Sequence, residues 1–475
     1  MLVVLDFSAI ANIDSIDLLK TITELISSRN IKVAVTKGFY ENYDVVMKSQ
    51  NEEQKAIAKR ISGILSQLSR KDRLIYASKI IDPKEIVNTL CGNEKVCLFF
   101  FEYSEFAESV LRCKDSLKCK AIIVDETGDL IIFDEDARGT IVDGIGVSVD
   151  ESVLDDGHFN VSFEAEKGKT VTLRDNQNIT LGELIGCGGE GSVYNCDYKT
   201  DYVVKIYRKE QLTRLRLKKL SQMEQKQVRY DGVCWPEKMV YSVSGEPVGY
   251  LMKKHYGKSL AEIFDGSDSV MREFPDWHKQ DLVSLAIDIL ERIQYLHLFG
   301  ILIGDLRLKN IVVGTDGVPV LVDIDSCQIN NLPCPAGYPD YTPPELQGVE
   351  FKKQLRTYDN ESFACAVLVF RILFCGIHPY DQKNGADTIE EEISSNSFPY
   401  PKSGSGDLSR IPWGDYDQMW RYTPIQLQSF FFDFFKNGKR YTLQEIILML
   451  KTYHRFIELN KEKMPEINSV AFDYN

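Results

Sequence analysis

Short apolar runs alternate with longer amphipathic stretches over the first part of the chain. Runs typical of buried strands cover residues 1–6, 31–35, 96–101 and 121–125. Helical periodicity covers residues 15–28, 52–68 and 104–113. Because strands that alternate with helices favour a parallel sheet, residues 1–138 are predicted to form an α/β domain.

Acidic residues stand near the ends of these predicted strands. Asp6 and Asp125 each end a strand. Glu41 follows a second strand, and Glu105 begins the helix after a third. In a parallel sheet the carboxyl ends of the strands meet at one edge, where functional groups gather. The four carboxylates are therefore predicted to converge on one metal cluster, the alternative being that they cap the following helices.

A second concentration of polar residues lies between apolar runs at 301–303 and 311–313, which predict short buried strands. The loop between them carries Asp305 and Asn310, and Asp323 follows Asn310 by thirteen residues. Two acids and an amide at this spacing predict a loop that holds an acceptor group and a metal ion at a cleft.

Further motifs precede this loop. Glycines at 186, 188 and 191 and a valine at 193 fit the pattern G-x-G-x-x-G-x-V, in which the backbone can approach phosphates without Cβ clashes. The strand-like run 203–206 carries Lys205, fourteen residues after the last of these glycines. Glu224 lies nineteen residues further on, in a charged stretch of helical character.

The order of motifs continues downstream with the segments 343–345, 359–364, 376–380 and 439–442. Residues 178–475 thereby resemble the protein kinase fold, with a first lobe over 178–254 and a second over 255–475. The resemblance implies the following site residues: Gly186, Gly188, Gly191, Val193, Lys205, Glu224, Met252, Asp305, Arg307, Asn310 and Asp323.

The roles of these residues are those that the resemblance implies. Asp305 accepts or orients the proton of the acceptor hydroxyl, and Asn310 and Asp323 hold Mg²⁺ on ATP. Lys205 and Arg307 offset charge on the transferred phosphoryl group. Glu224 orients Lys205, with a solvated helix position as the alternative. Backbone groups near Met252 bind adenine, and core packing of its side chain is compatible with that role.

Other matches are structural, and some positions depart from the family pattern. Glu345 and Arg440 are expected to form a buried ion pair. Ile303 and Gly304 replace the usual His-Arg before the catalytic Asp, so activation by loop phosphorylation is not expected. The segments 323–328 and 341–346 are similar to a bacterial subgroup of Ser/Thr kinase-like proteins, which includes kinases of tellurium-resistance gene clusters.

The N-terminal segments also resemble a known family. The opening Leu5-Asp6-Phe7-Ser8-Ala9 and the later segments 104–108 and 124–126 are similar to motifs of PIN-domain ribonucleases. The resemblance implies that Asp6, Glu41, Glu105 and Asp125 bind Mg²⁺ or Mn²⁺, which activates water to cut RNA. A nuclease-derived binding or regulatory domain is the alternative. Between the two parts, residues 139–177 are predicted to be a β-rich linker or small subdomain, with strands at 161–163 and 170–173.

Composition and charge bear on the partners and the cellular location of the protein. The net charge of −14 disfavours non-specific nucleic-acid binding by the whole chain. No apolar run approaches the roughly 20 residues that span a membrane, and no signal peptide is apparent at the N-terminus. The eleven cysteines show no disulfide or zinc pattern, which favours a reducing, cytoplasmic location. The basic run 214–219 is interpreted as a solvated helix face.

Three hypotheses follow. The first is a cytoplasmic Ser/Thr protein kinase that uses Mg-ATP to phosphorylate a protein or itself, fused to a PIN-like domain. The second is a metal-dependent ribonuclease that the kinase domain regulates. The third is a scaffold that binds ATP without turnover.

Overall fold

The N-terminal part contains a six-stranded sheet. The computed structural model describes residues 2–7, 32–77, 97–101, 119–124, 130–133, 157–159, 161–226, 228–329, 332–403 and 406–471. The sheet strands are β1 (Leu2–Leu5), β2 (Lys32–Thr36), β3 (Leu74–Ala77), β4 (Cys97–Phe101), β5 (Cys119–Val124) and β6 (Leu130–Phe133). Their order is β3-β2-β1-β4-β5-β6. The first five are parallel and β6 pairs antiparallel with β5, which confirms the predicted parallel sheet.

Two helices connect β2 to β3: α1 (Lys37–Lys48) and α2 (Glu52–Arg70). Thr36 and Asn51 cap them, since each side chain accepts a hydrogen bond from a backbone N–H in the first turn. The apolar positions of α2 recur at helical spacing on one buried face: Ile57, Ala58, Ile61, Leu65 and Leu68. The predicted helix at 52–68 is therefore confirmed, whereas those predicted at 15–28 and 104–113 lie outside the described residues.

The next part is a closed antiparallel barrel. Its strands are β7 (Thr170–Leu173), β8 (Asn178–Cys187), β9 (Gly191–Cys196), β10 (Tyr202–Tyr207), β11 (Lys238–Ser242) and β12 (Pro247–Lys253). They are arranged in the order β10-β12-β11-β7-β8-β9. The helix α3 (Arg214–Lys226) lies between β10 and β11 in the chain.

The barrel corrects the interpretation of residues 139–177. The strand predicted at 170–173 exists, but as β7 it pairs with β8 and β11 and completes the barrel rather than a separate subdomain. The strand predicted at 161–163 is wrong, because those residues form no strand pairing. Ser162 is instead held by its N–H and hydroxyl, which both donate to Glu246.

A mainly helical part follows the barrel. Its helices are α4 (Leu260–Ile263), α5 (Ser267–Glu273), α6 (Lys279–His297), α7 (Tyr358–Leu373), α8 (Ile389–Ser394), α9 (Tyr416–Tyr422), α10 (Ile425–Phe435) and α11 (Leu443–Asn460). Five short strands accompany them: β13 (Lys258–Ser259), β14 (Ile301–Leu302), β15 (Ile311–Val313), β16 (Pro319–Leu321) and β17 (Gln328–Ile329). The core helix is α7, which is apolar and buried on nearly every side.

The N-terminal helices pack on this helical part. Buried polar side chains join them: Gln294 donates to Asn42 at 2.6 Å, and the Tyr295 hydroxyl donates to Gln54 at 2.7 Å. The buried apolar residues of α1, α2 and α6 belong to one continuous cluster. The two parts therefore share a core at this interface.

Charged and polar residues extend this interface and also join the N-terminal part to the barrel. Glu291 on α6 is buried and pairs with Lys48 of α1 and with Lys451 of α11, the latter at 3.0 Å. Gln50, between α1 and α2, accepts from Lys253 at the end of β12 at 2.6 Å. Its amide nitrogen donates to Asp231 at 2.7 Å. No helix in the described part of the chain has the length and apolar character needed to cross a membrane.

Candidate active site

The loop that the sequence predicts to be catalytic lies between β14 and β15 and ends in a turn of 3₁₀ helix, Leu308–Asn310. Asn310 Nδ2 donates to the Asp305 carbonyl at 2.9 Å and to its carboxylate at 3.0 Å. Arg307 lies 3.2 Å from the same carboxylate. Burial raises the pKa of Asp305 even though Arg307 and Asn310 oppose the shift. The loop thus presents a fixed, partly desolvated carboxylate, as a proton acceptor requires.

Asp323 lies beside this loop. The Val322 N–H donates to the Asn310 carbonyl at 2.9 Å, which brings the preceding backbone against the predicted amide ligand. Asp323 has φ of 54°, in the left-handed region that a non-glycine residue rarely occupies. Its side chain is 63% exposed. The strained backbone therefore turns an accessible carboxylate toward the site, a pattern that often marks function.

Lys205 reaches the same place from the barrel. It lies on β10, directly opposite Val193 of β9, and is almost fully buried. Its Nζ donates to Asp325 at 2.8 Å and to Asp323 at 3.2 Å, and lies 3.8 Å from Glu190. Burial alone would lower the pKa of Lys205, but the carboxylates outweigh it and the pKa is raised. The lysine is therefore a charged ammonium at the junction of barrel and loop.

The prediction that Glu224 orients Lys205 is wrong in this structure. Glu224 pairs with Arg174 at 3.1 Å and accepts from the Met239 N–H at 3.1 Å, so it ties α3 to the barrel. The reason is its place on the helix. It lies eight residues beyond Arg216, the α3 residue that does reach the site, a rise of about 12 Å.

Asp325 is a site residue that the sequence reasoning missed. It is 1% exposed and accepts hydrogen bonds from Lys205, from the Tyr207 hydroxyl and from the Tyr250 hydroxyl. Burial would raise its pKa, but Lys205 and Arg216 hold the pKa below the ordinary value. The signal available in the sequence was the spacing Asp-x-Asp from Asp323, together with tyrosines two residues after Lys205 and in β12.

The glycine-rich hairpin joins β8 to β9. The Gly188 N–H donates to the Gly191 carbonyl at 2.8 Å and closes the turn. A Cβ on Gly191 would lie 2.3 Å from the Ile206 carbonyl oxygen, whereas Gly186 has open space around it. Glu190 in the turn pairs with Arg216 of α3 at 2.7 Å. Gly191 therefore allows β9 to pack closely against β10, whereas Gly186 leaves the backbone of the hairpin exposed.

Met252 lies in β12 opposite Val203 of β10 and packs against the core. The core-packing interpretation of its side chain is thus confirmed, and the adenine-binding role of the adjacent backbone stays a prediction.

The buried carboxylate of Glu361 anchors the catalytic loop from α7. It accepts from the Gly304 N–H at 2.8 Å and lies 2.6 Å from His297 Nε2. Gly304 has φ of +72°, and a Cβ there would lie 2.7 Å from Cys334. Sequence reasoning placed a motif over 359–364 but did not single out Glu361. Only the helix register shows which of its acids faces the loop.

The predicted pair of Glu345 and Arg440 is confirmed, with the guanidinium 3.0 Å from the carboxylate. Their side chains are 26% and 18% exposed, so the pair is partly buried rather than buried. Asn360 of α7 also donates to Glu345 at 3.1 Å. The pair therefore joins the loop before α7 to the segment before α11.

The predicted N-terminal metal cluster is described only in part. Asp6 is half-buried directly after β1. Glu41 lies within α1 and pairs with Lys37 at 3.4 Å. Glu105 and Asp125 lie outside the described residues. Among the described residues, no three His, Cys, Asp or Glu side chains gather as a metal site.

The residues at the loop fit a metal-bound nucleotide chemically. Asp323 offers an accessible carboxylate, and the Asn310 amide nitrogen already bonds Asp305, which leaves the amide oxygen for a ligand. Oxygen donors suit Mg²⁺. The positive charge of Lys205 and the exposed glycine backbone suit phosphates.

Two bacterial proteins that are similar to this chain are named protein kinases. The protein kinase YegI of Escherichia coli O157:H7 is 30% identical over 277 residues, which are 53% of this chain and 42% of that protein. YegI of Escherichia coli strain K12 is 31% identical over 236 residues, 46% of this chain and 36% of that protein. The chain thus matches less than half the length of these relatives.

A more distant relative is the serine/threonine-protein kinase stk11 of Xenopus laevis, 23% identical over 271 residues, which are 52% of this chain and 59% of that protein. The family model described as protein kinase domain matches residues 179–447, more than half of the chain. The chain therefore belongs to the protein kinase domain family.

Proposed function

We propose that this protein is a serine/threonine kinase that transfers the γ-phosphate of Mg-ATP to a hydroxyl of another protein or of itself. The observation that carries the proposal is one connected set of contacts. Lys205 bonds Asp323, the N–H of the preceding Val322 donates to the Asn310 carbonyl, and the Asn310 amide donates to Asp305. Four residues from three separate segments are thereby assembled at the junction of barrel and helical part.

Each side chain then has a defined task. Asp305 orients the acceptor hydroxyl and takes its proton, and Arg307 at 3.2 Å stabilises the carboxylate and the negative charge near it. Lys205 holds phosphate oxygens from the barrel side. Asn310 and Asp323 provide oxygen ligands from the helical side. When bound, Mg-ATP supplies the phosphoryl group and the metal charge that offsets it.

The preference for Ser or Thr rests on relatedness. A relative that covers about half of this chain is named a serine/threonine-protein kinase. We propose two lobes with their boundary near residue 254, where β12 of the barrel ends and the helical part begins. The nucleotide would lie between them, with its adenine on the backbone near Met252.

Intact mass measurement after incubation with Mg-ATP tests the proposal. We expect the wild type to gain a phosphate increment on itself or on a generic acceptor such as casein. Asp323→Asn and Asp305→Asn should each lose at least 10³-fold in transfer rate, since each removes a carboxylate charge on which the proposed reaction depends. Asp316→Asn, which changes an exposed residue of the turn between β15 and β16, is the matched control and should keep full activity. Undiminished transfer by Asp323→Asn would contradict the assignment.

The second candidate function concerns the N-terminal part, for which we propose a PIN-like domain. The observation that favours it is strand order. Because β1 lies between β2 and β4, the connections reverse direction beside it, and Asp6 follows its carboxyl end. Ligands of open α/β sheets bind at such a switch point. We expect Mn²⁺- or Mg²⁺-dependent cleavage of single-stranded RNA that is lost in Asp6→Asn. Cleavage that persists in this variant would rule out a role for Asp6.

A further inference from the structure

Lys205 is positioned by a carboxylate that comes from the helical part of the molecule and not from helix α3. We infer that Asp325 is the positioning residue that holds the Lys205 ammonium in place for nucleotide phosphates. The inference rests on the proposed function, in which Lys205 binds ATP. It adds a role for a residue two positions beyond the predicted metal ligand Asp323.

The environment of Asp325 makes it a fixed anchor. Its Oδ1 accepts from Lys205 Nζ at 2.8 Å and from the Tyr250 hydroxyl at 3.0 Å. Its Oδ2 accepts from the Tyr207 hydroxyl and lies 3.8 Å from Arg216. Both oxygens are thus engaged by protein donors, and the side chain is 1% exposed. An ionic contact in such a buried position is strong and its geometry well defined.

The neighbouring Asp323 cannot serve the same purpose. Its carboxylate is 63% exposed, whereas that of Asp325 is 1% exposed. An exposed carboxylate exchanges its partners readily, and Asp323 is also the predicted ligand for the metal. Its contact with Lys205 at 3.2 Å can therefore be given up when nucleotide binds, while the contact of Asp325 is retained.

Helix α3 contributes cations rather than an anion at this position. Arg216 pairs with Glu190 of the glycine-rich turn at 2.7 Å and also faces Asp325. Lys219, one turn further along, is buried and donates to the Ser326 carbonyl at 2.9 Å. The helix therefore holds the glycine-rich turn and the segment after Asp323, and the buried carboxylate that bonds Lys205 is that of Asp325.

The test compares two acid-to-amide changes by the affinity for Mg-ATP, measured by calorimetry on the full chain. Asp325→Asn should weaken binding at least tenfold, because the buried Lys205 loses its fixed partner. Glu224→Gln, the matched control on α3, should bind within twofold of wild type. Affinity of Asp325→Asn within twofold of wild type would overturn the inference, as would an equal loss in Glu224→Gln.

A double-mutant cycle separates positioning from general damage. In a Lys205→Met background, Asp325→Asn should weaken Mg-ATP binding less than twofold further, because the residue that it positions is already gone. Additive losses would overturn the inference. If Asp325→Asn does not fold, Tyr250→Phe provides the test, because it removes one hydrogen bond to Asp325. This variant should weaken Mg-ATP binding two- to fivefold while its urea midpoint stays unchanged. Unaltered binding would overturn the inference.

Phosphate transfer is measured on the same samples, so that the two proposals fail separately. A wild type that binds Mg-ATP but transfers no phosphate contradicts the proposed kinase activity, and the affinity ratio of Asp325→Asn still decides the positioning role. A wild type that transfers phosphate, with Asp325→Asn unimpaired in affinity, contradicts the positioning role alone.

Discussion

His378 is a buried imidazole that the proposed chemistry does not use. The Tyr380 N–H donates to its Nδ1 at 3.3 Å, and its Nε2 lies 2.9 Å from the Asp340 carbonyl. Because Nδ1 accepts a hydrogen bond and Nε2 faces a carbonyl oxygen, the imidazole is the neutral tautomer that carries its proton on Nε2. Burial lowers the pKa of His378 to about 3.

The sign of the resulting pH dependence follows from that shift. Above pH 6.5, the ordinary value, His378 is neutral in both states and its contribution to stability is complete. As pH falls from 6.5 toward 3, His378 binds a proton in the unfolded state but not in the folded state. The free energy of unfolding therefore falls by up to about 1.4 kcal/mol per pH unit. We expect urea unfolding at pH 6, 5 and 4 to show this extra slope in wild type and not in His378→Asn. Parallel slopes would mean that His378 protonates without unfolding.

The sequence predicted most residues of the candidate site but not all their partners. Lys205, Asp305, Asn310 and Asp323 could be identified because each lies at a fixed spacing from a sequence motif or within one. Asp325 could not, because its role depends on the tyrosines of strands β10 and β12, which are distant in sequence. A carboxylate next to a motif residue has no signature of its own until the sheet brings donors to it.

At the scale of single elements, the hairpin of β8 and β9 depends on one glycine for packing and on others for access. A Cβ on Gly191 would lie 2.3 Å from the Ile206 carbonyl oxygen, and β10 cannot move away without losing its pairing with β9. A Cβ on Gly189 would meet nothing within 4 Å. The same Gly→Ala change would therefore clash with backbone at position 191 and meet open space at position 189.

We expect Gly191→Ala to lower the free energy of unfolding by about 2 kcal/mol or more, since overpacking against backbone finds no relief in side-chain rotation. Gly189→Ala should change it by less than about 0.5 kcal/mol. Urea unfolding followed by tryptophan fluorescence measures both. Equal stability of the two variants would show that β9 and β10 separate freely at this point.

Element register explains the failed prediction for Glu224. The helical stretch was predicted correctly, and α3 spans Arg214–Lys226. Which of its faces meets the barrel depends on where the chain leaves β10, and this cannot be read from charge pattern alone. The basic run at 214–219, interpreted as a solvated face, is also wrong in part, because Lys219 and Arg216 point inward. A short amphipathic helix of low apolar content carries too weak a signal to fix its rotation.

At the scale of the whole molecule, Glu291 joins three helices. Its buried carboxylate pairs with Lys48 of the N-terminal part and with Lys451 of α11. Burial would raise the pKa of Glu291, but the two lysines hold it below the ordinary value. Its stabilising contribution is therefore present above the unfolded pKa near 4.5 and is lost as pH falls through the lowered folded value.

We expect Glu291→Gln to lower the free energy of unfolding at pH 7 by about 1–2 kcal/mol, because the two half-exposed lysines regain water and limit the loss. The difference from wild type should shrink as pH falls below 4. Lys55→Ala, which removes the partner of exposed Glu52, is the control and should have little effect. A difference that persists at pH 3 would assign the effect to packing rather than charge.

The overall arrangement was predictable to the extent that local pattern determines it. The parallel sheet and the kinase motifs were recognised because each repeats a short, strongly patterned unit. The docking of α1 and α2 on α6 was not, since it depends on single polar residues such as Asn42 and Gln294 that have no distinctive pattern. The closing strand β7 was likewise assigned to the linker, because barrel closure pairs it with β11, about seventy residues away.

The bridge made by Gln50 has a mechanical consequence. The amide oxygen of Gln50 accepts from Lys253, and its amide nitrogen donates to Asp231. The backbone N–H of Gln50 donates to the Arg229 carbonyl. Lys253 is the last residue of β12, at the start of the connector between the barrel and the helical part. All three partners of Gln50 belong to the barrel part, whereas α1 packs on α6 of the helical part. The N-terminal part therefore contacts both sides of that connector, so a change in the turn between α1 and α2 would alter contacts on the barrel side while those on α6 remain.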